Sequence, residues 1–415
     1  MSARGMMFQA LQGLQHAHLA LETPDGQRHS FGDPQAELRA QVMVHNERFF
    51  SRVIWGGDEG TGDSFVDGDW SSPDLVSVVR LAVRNQQNLA QGGGILAWLG
   101  SAMNRLRHLR NRNTVEGSRR NIAAHYDLSN DFFRLFLDRN MVYSAAVFAT
   151  QHASLEDAQT EKIDRLCRKL RLSADDHLLE IGTGWGALAI HAAKRYGCRV
   201  TTTTISRQQH DHAAKQFEQH GLSNRIELLL EDYRNLRGKY DKIVSVEMFE
   251  AVGLEHYDDF FSACDRLLTA DGMMAMQTIT MNEQHFDEYR KGSDWIQRRI
   301  FPGGQLASIC EIQKSLARKT RLGLHHLEDI GMHYAYTLEE WRRRFHAATA
   351  DVKRLGFDEP FLRAWDYYLA YSEGAFRERY IGDVQILLAK AGTPQPMHGE
   401  PWVAVPVALE RAVNA

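Results

Sequence analysis

The run Leu178-Leu179-Glu180-Ile181-Gly182-Thr183-Gly184-Trp185-Gly186 reads as a strand that ends in a glycine-rich turn and enters a helix. Glycines at 182, 184 and 186 let the backbone approach a nucleotide-like ligand closely, because side chains there would occupy its space. The spacing differs from the G-x-G-x-x-G fingerprint and lacks the lysine of a phosphate loop. An acid at Glu180, just ahead of the glycines, suits a ligand with a cationic amino group better than a pyrophosphate. S-adenosylmethionine is such a ligand. Two further features follow in the order this site would need. Thr204-Ile205-Ser206-Arg207-Gln208-Gln209 comes after the second apolar run, where a polar group should meet ribose hydroxyls. Asp232 comes after the third, placed to accept from an adenine amino group, with the ring of Tyr233 beside it to cover the base. Alone, Asp232 would read as a turn former or a helix cap.

A parallel sheet would hold these residues in place. Apolar runs at 177–181, 199–205, 225–230, 241–246 and 272–280 alternate with helix-like stretches, and Ile163, Leu166 and Leu170 repeat at helical spacing. That rhythm predicts a doubly wound, Rossmann-like α/β domain whose ligand sits at the carboxyl ends of the strands. After about 281 the alternation stops. Phe301-Pro302-Gly303-Gly304 intervenes, then a helix opened by the capping box Thr337…Glu340, with Trp341 and Phe345 on one face. Trp365 to Tyr380 reads as another helix and 383–389 as a last strand. Towards the N-terminus, alternation at Leu38, Ala40, Val42 and Val44 and a turn at Pro24-Asp25-Gly26 predict a smaller α+β domain over residues 1–90. Residues 91–120 carry Arg105, Arg107, Arg110, Arg112, Arg119 and Arg120 against one acid, Glu116. That basic linker reads equally as a solvated helix face and as a contact for phospholipid headgroups.

Composition narrows the classes. The 415 residues are 43% hydrophobic and 25% charged, with a net charge of −4, so no global basic excess marks a nucleic-acid binder. Cys167, Cys198, Cys264 and Cys310 are scattered, and the 19 histidines lack paired metal-ligand spacing, so no metal is expected. His325-His326 reads as a surface pair and Trp185 as packing. Without about 18 uninterrupted apolar residues to span a bilayer, work on lipid would proceed from the membrane surface. The expected setting is cytoplasmic and peripheral to the inner face.

At higher resolution the motifs resemble one family. His125-Tyr126-Asp127-Leu128-Ser129-Asn130-Asp131-Phe132-Phe133, Met141-Val142-Tyr143-Ser144-Ala145, the glycine turn, Thr204-Ile205-Ser206, Glu247-Met248-Phe249-Glu250-Ala251-Val252-Gly253 and Ile300-Phe301-Pro302-Gly303-Gly304 are similar to cyclopropane-fatty-acyl-phospholipid and mycolic acid cyclopropane synthases. The resemblance runs from about 118 to 392. It implies a class I methyltransferase domain over 121–415 with a substrate insert at about 281–335, and makes residues 1–90 a lipid-associated domain. It implies that Tyr126, Tyr143, Ser144, the turn Gly182, Thr183, Gly184 and Gly186 with Glu180, the Thr204, Ile205, Ser206 and Gln209 segment, and Asp232 with Tyr233 contact S-adenosylmethionine. It also implies transfer of a methyl group to the double bond of an unsaturated phospholipid acyl chain, giving a cyclopropane fatty acid, and is compatible with a homodimer. Glu250 would balance the carbocation and, with Tyr334, help hold a bicarbonate ion that removes a methyl proton.

Three positions depart from the family pattern. Its Tyr-Ser-Cys is Tyr143-Ser144-Ala145 here, its His-Thr-Ile is Gln277-Thr278-Ile279, and a late cysteine aligns with Ser372. Losing both cysteines argues against covalent catalysis, and Gln277 can hydrogen-bond an anion but cannot carry a proton as histidine can. Proton loss elsewhere would give a methyl- or methylene-branched chain. Methylation of a small polar molecule and lipid binding without turnover are the other readings, the first disfavoured by the apolar insert and the second by the intact glycine turn and Glu250.

Overall fold

The computed structural model describes residues 2–86 and 128–393. The arginines from 105 to 120 and Tyr126 lie outside the described residues. Two compact units are present: one gathers 2–86, 128–137, 280–308 and 334–382, the other 138–279, 309–333 and 383–393.

In the first unit, β1 (His18–Glu22), β2 (Arg28–Gly32), β3 (Arg39–Val44) and β4 (Trp70–Ser71) form a sheet in the order β2-β1-β3-β4. β1 and β2 are a hairpin, closed where Gly26 takes φ 80 and donates to Thr23 O at 2.8 Å, at the turn read from the sequence. β3 runs parallel to β1 and buries Ala40, Val42 and Val44 on one face, as its alternation predicts. The helices Ala3–Leu11, Arg48–Val66 and Leu75–Arg84 complete this α+β layer. The helix Glu359–Arg377 packs against it at Gly374, where a Cβ would stand 2.7 Å from Val79 Cβ, so only glycine admits the approach. Trp295 is fully buried here, its indole donating to Asp63 at 3.1 Å and its backbone N to Asp58 at 2.9 Å. Phe132 stands edge-on to Trp365 at 4.9 Å and to Phe136 at 5.4 Å, a geometry that adds to burial through the ring quadrupoles.

The second unit is built on β5 (His177–Ile181), β6 (Arg199–Thr203), β7 (Ile226–Leu229), β8 (Tyr240–Val246), β9 (Leu268–Met281), β10 (Leu322–Asp329) and β11 (Ile381–Lys390). Their order is β10-β11-β9-β8-β5-β6-β7. β7, β6, β5, β8 and β9 are mutually parallel, and β10 is antiparallel to β11. From β5 the chain moves outward to β6 and β7, whereas from β8 it moves the other way to β9. The reversal between β5 and β8 is the switch point where such a sheet opens a crevice for a ligand. The helix Leu155–Lys169 covers the sheet, and Ile163, Leu166 and Leu170 enter the core with Leu178, Val200 and Val244. Trp185 is buried, and His325 is exposed with His326 half-buried.

The expected boundaries shift in two helices. The helix assigned to the Thr337 capping box starts at Gly331 and runs to Ala347. Gly331 N donates to Asp329 Oδ1 at 2.8 Å, Thr337 is buried in mid-helix, and Glu340 pairs with Arg343 and Arg344 instead of reaching back. The helix placed at Trp365 starts at Glu359, capped by Asp358 accepting from Phe361 N at 3.0 Å. β10 escaped the sequence reading because its mixed burial lacks both alternation and a continuous apolar run.

Candidate active site

The glycine turn leaves β5 with Gly182 at φ 105, Gly184 at φ 53 and Gly186 at φ 97. Each is left-handed backbone, unfavourable for a side chain. A Cβ on Gly184 would meet nothing within 4 Å, so that glycine faces open space. On Gly186 it would stand 2.7 Å from Phe217, so that glycine serves helix packing. Thr183 N and Gly182 N both donate to Thr203 O, at 3.1 and 3.0 Å, which fixes the turn over the end of β6. Glu180, 4% exposed, accepts from Thr202 Oγ1 at 2.6 Å on the adjacent strand, and burial pushes its carboxyl up to about 8.

After β6, Thr204 Oγ1 donates to Gln209 Oε1 at 2.9 Å and Ser206 Oγ caps the helix Arg207–Gln219 by accepting from Gln209 N at 3.3 Å. Ile205 lies between them in the same turn. After β7, Asp232 is buried and takes both the backbone N and the guanidinium of Arg234, at 3.0, 2.8 and 2.7 Å. It is thus a turn former, with its carboxylate tied to Arg234. Tyr233 stands edge-on to Phe260 at 5.3 Å, and burial raises its phenol.

Beyond β8 and β9 lies a buried polar cluster. Register places Val246, the end of β8, opposite Gln277 within β9, so the residues that follow β8 meet the last residues of β9. Glu250 Oε1 accepts from Thr278 Oγ1 at 3.0 Å and from Ile279 N at 2.5 Å, while its Oε2 is shielded from solvent and has no partner among the described residues. Burial, then the Glu247 carboxylate, pushes Glu250 up to about 8. Glu247 Oε1 accepts from Ala145 N and from Gln277 Nε2, each at 2.8 Å. Its backbone sits at φ 45, a conformation that costs a non-glycine residue about 1–3 kcal/mol and that clusters at functional sites. Asp383, fully buried in β11, hydrogen-bonds Glu247 and accepts from Gln277 Nε2 at 3.2 Å. Burial with the neighbouring Glu247 and Glu250 drives it well above the carboxylate range. Lys162 points into the same region, donating to Ser144 Oγ at 2.6 Å, and burial lowers it to about 8 against the pull of Glu247.

A family model described as mycolic acid cyclopropane synthetase matches residues 113–386. The chain belongs to that family. It is 38% identical over 387 residues to the tuberculostearic acid methyltransferase UfaA1 of Mycobacterium tuberculosis, covering 91% of this chain and 89% of that protein. It is 34% identical over 361 residues to the cyclopropane-fatty-acyl-phospholipid synthase of Escherichia coli, covering 85% of this chain and 88% of that one. Among solved structures, mycolic acid cyclopropane synthase CmaA1 complexed with SAH and CTAB superposes with a TM-score of 0.62 at 34% identity, over 66% of this chain and 98% of that one. The fold is accordingly a Rossmann-like class I methyltransferase with a smaller N-terminal α+β domain, and the protein is an S-adenosylmethionine-dependent methyltransferase. The open cradle at Gly184, beside the strand end that carries Glu180, fits a ligand of that kind.

Of the residues that the resemblance singled out in this family, Glu250, Gln277 and Ala145 come together, with Ser144 next to them through Lys162. Tyr143 is half-buried in the same segment. Tyr334 belongs to the first unit, where its ring lies 4.6 Å from Phe376 and edge-on to Trp341. Glu247, Asp383, Gln385, Lys162 and Lys169 were assigned no role from the sequence. A signal for two of them was present: Asp383 and Gln385 are polar at alternate positions of a strand whose other residues from Val384 to Ala389 are apolar and buried. Lys162 and Lys169 are seven apart on one helix, hence on one face, and both are buried.

The orientation of Gln277 is fixed from a distance. Lys169 is an ammonium with donors only, and it donates to Gln385 Oε1 and to Glu328 Oε2, each at 2.7 Å. Gln385 must therefore turn its NH2 to Gln277 Oε1, at 3.0 Å, which leaves the NH2 of Gln277 for the two acids. Arg165 closes the outer end of this chain on Glu328.

Proposed function

We propose that this methyltransferase moves the methyl group of S-adenosylmethionine onto the double bond of an unsaturated fatty acyl chain in a phospholipid. The observation that carries the reading is Glu250, held by Ile279 N and Thr278 with one shielded oxygen left over, in the crevice where the sheet receives its ligand. An alkene is a weak nucleophile, so the site must be dry and must tolerate a cation. At ~4 Å and an effective dielectric of ~20, one carboxylate stabilises a cation by about 4 kcal/mol, roughly a thousandfold in rate. Gly182, Thr183, Gly184 and Glu180 would hold the methionine end, Thr204 to Gln209 the ribose, and Asp232 with Tyr233 the base.

Closure to a cyclopropane is the product expected from most of the named relatives. A branched product, methyl or methylene, is the second reading, favoured by Ala145 and Gln277 at the altered corner and by the likeness to UfaA1. Among the described residues no helix is long and apolar enough to cross a membrane, so access to the acyl chain would be peripheral, from the bilayer surface. Mass spectrometry of unsaturated phosphatidylglycerol vesicles after incubation with CD3-labelled S-adenosylmethionine tests the reading. Acyl chains heavier by one labelled carbon support it, and unlabelled lipid with an active cofactor-binding protein rejects it.

Glu250 also predicts a linkage between cofactor and proton. With its carboxyl at about 8, it is mostly protonated at pH 7 before the cofactor arrives. A sulfonium nearby favours the ionised form, so binding S-adenosylmethionine should release about one proton at pH 7, fewer as pH passes 8. S-adenosylhomocysteine, neutral at sulfur, should release fewer at every pH. Calorimetry in buffers of different ionisation enthalpy measures the difference. Equal proton counts for the two ligands would place Glu250 away from the sulfonium.

A further inference from the structure

The donors that could hold an anion in the Glu250 corner already hold one that belongs to the chain. Ala145 N and Gln277 Nε2 converge on Glu247 Oε1. Gln277 cannot turn its amide away without breaking the Gln385 and Lys169 chain behind it. Glu247 lies close enough to Glu250 and Asp383 to raise the protonation of both, so a bicarbonate would add a further negative charge and compete for occupied donors. The residues present do not fit that ion. What they do form is a carboxylate pair in which Asp383, fully buried, hydrogen-bonds Glu247 and keeps Oδ1 without a partner among the described residues.

We propose that the Glu247–Asp383 pair is the base of the reaction, in the position the family gives to bicarbonate. The proposal rests on methyl transfer to an acyl double bond. In that step the alkene π pair bonds to the methyl carbon, the S–CH3 pair leaves with sulfur, and a secondary carbocation remains. Like charges this close share one proton, so the pair is singly negative, with Asp383 protonated towards Glu247. Glu247 then accepts a proton from the transferred methyl carbon. The freed C–H pair either closes the ring onto the cationic carbon or, after a 1,2-hydride shift, forms a methylene double bond. The pair ends with two protons and no charge, and returns one to water after product leaves. Protons next to a carbocation are acidic enough that a carboxylate weakened by several hydrogen bonds still takes them.

The test uses the full chain, CO2-depleted buffer, CD3-labelled S-adenosylmethionine and dioleoyl phosphatidylglycerol vesicles, with and without added bicarbonate. Wild type should run at the same rate, within about twofold, under both conditions, with product retaining two of the three deuteriums. Glu247→Ala should be slower by about 100-fold or more with S-adenosylhomocysteine affinity within about threefold, and bicarbonate should restore roughly tenfold of the loss, because the freed Ala145 N and Gln277 Nε2 can then hold it. Asp383→Asn should lose about tenfold, again with affinity intact, and carries the test should Glu247→Ala fail to bind S-adenosylhomocysteine. A wild type that stalls without bicarbonate and recovers with it overturns the proposal, as does a folded Glu247→Ala or Asp383→Asn at wild-type rate in depleted buffer. A wild type that binds cofactor but labels no lipid under either condition overturns the methyl-transfer reading itself, and the base with it.

Discussion

Glu250→Gln should cut turnover by roughly 100- to 1,000-fold, about 2.7–4 kcal/mol of transition-state stabilisation, while S-adenosylhomocysteine affinity changes by less than about threefold. The substitution preserves shape. A glutamine carbonyl can still accept from Ile279 N and Thr278 Oγ1, the two bonds that fix Oε1, so the loop after β8 keeps its geometry. What disappears is a negative charge at Oε2, an atom shielded from water and unpartnered among the described residues. Such a charge meets the sulfonium already in the cofactor complex and then the carbocation that follows, but acts little on the neutral sulfur of S-adenosylhomocysteine or on the neutral acyl chain. The loss should therefore fall on kcat and leave KM for lipid nearly unchanged. Single-turnover methyl transfer gives the first number and calorimetry the second. Turnover within tenfold of wild type would remove Glu250 from the chemistry.

How much of this could be read beforehand follows from what sequence patterns encode. The five parallel strands and the glycine turn were legible because burial on both faces writes continuous apolar runs, and close approach to a ligand leaves glycines, whereas the acid at 250 was singled out only by the family resemblance. Ser206, in the segment read as a ribose contact, also caps the helix Arg207–Gln219 by accepting from Gln209 N, a role the sequence reading did not give it. The base was not legible. Glu247 stands three residues before Glu250 in a motif quoted for its resemblance, yet its left-handed backbone, which turns the side chain toward Ala145 N, is a tertiary outcome that no local pattern announces. Asp383 is 136 positions further along, and only the insertion of β11 beside β9 brings it to Gln277. The replacement at 277 was visible, but its meaning required the amide chain through Gln385 to Lys169. Thr337 shows the opposite failure: a capping-box spelling occurs inside a helix whose start is set by Asp329.

Lys162→Met tests the electrostatic account of that cluster through stability. Lys162 is 1% exposed and its charge faces Glu247, Asp383 and Glu180. Removing one partner from a buried arrangement of charges typically costs about 3–5 kcal/mol, since the remaining charge is left uncompensated. The acids can escape part of that penalty by taking up protons, and this sets a pH dependence. Glu180 and Glu250 are both raised from 4.5 to about 8 in the folded protein, so the folded state binds more protons than the unfolded one between those limits, and their contribution to stability falls as pH rises through that window. Without Lys162 the carboxylates it faces rise further, which steepens the fall. Lys162 itself is lowered from 10.5 to about 8, so between those values the unfolded wild type holds a proton that the folded one has given up, and wild-type stability gains with rising pH in a way the methionine variant lacks. The unfolding free energy of wild type relative to the variant should therefore be lowest near pH 5, higher near pH 7–8 and highest by about pH 10, a rise of roughly 3 kcal/mol for a lysine shift of that size. Urea titrations of both proteins at those three values measure it. A difference that stays constant across the range would mean that Lys162 contributes only packing and its bond to Ser144, and that the acids around it do not depend on its charge.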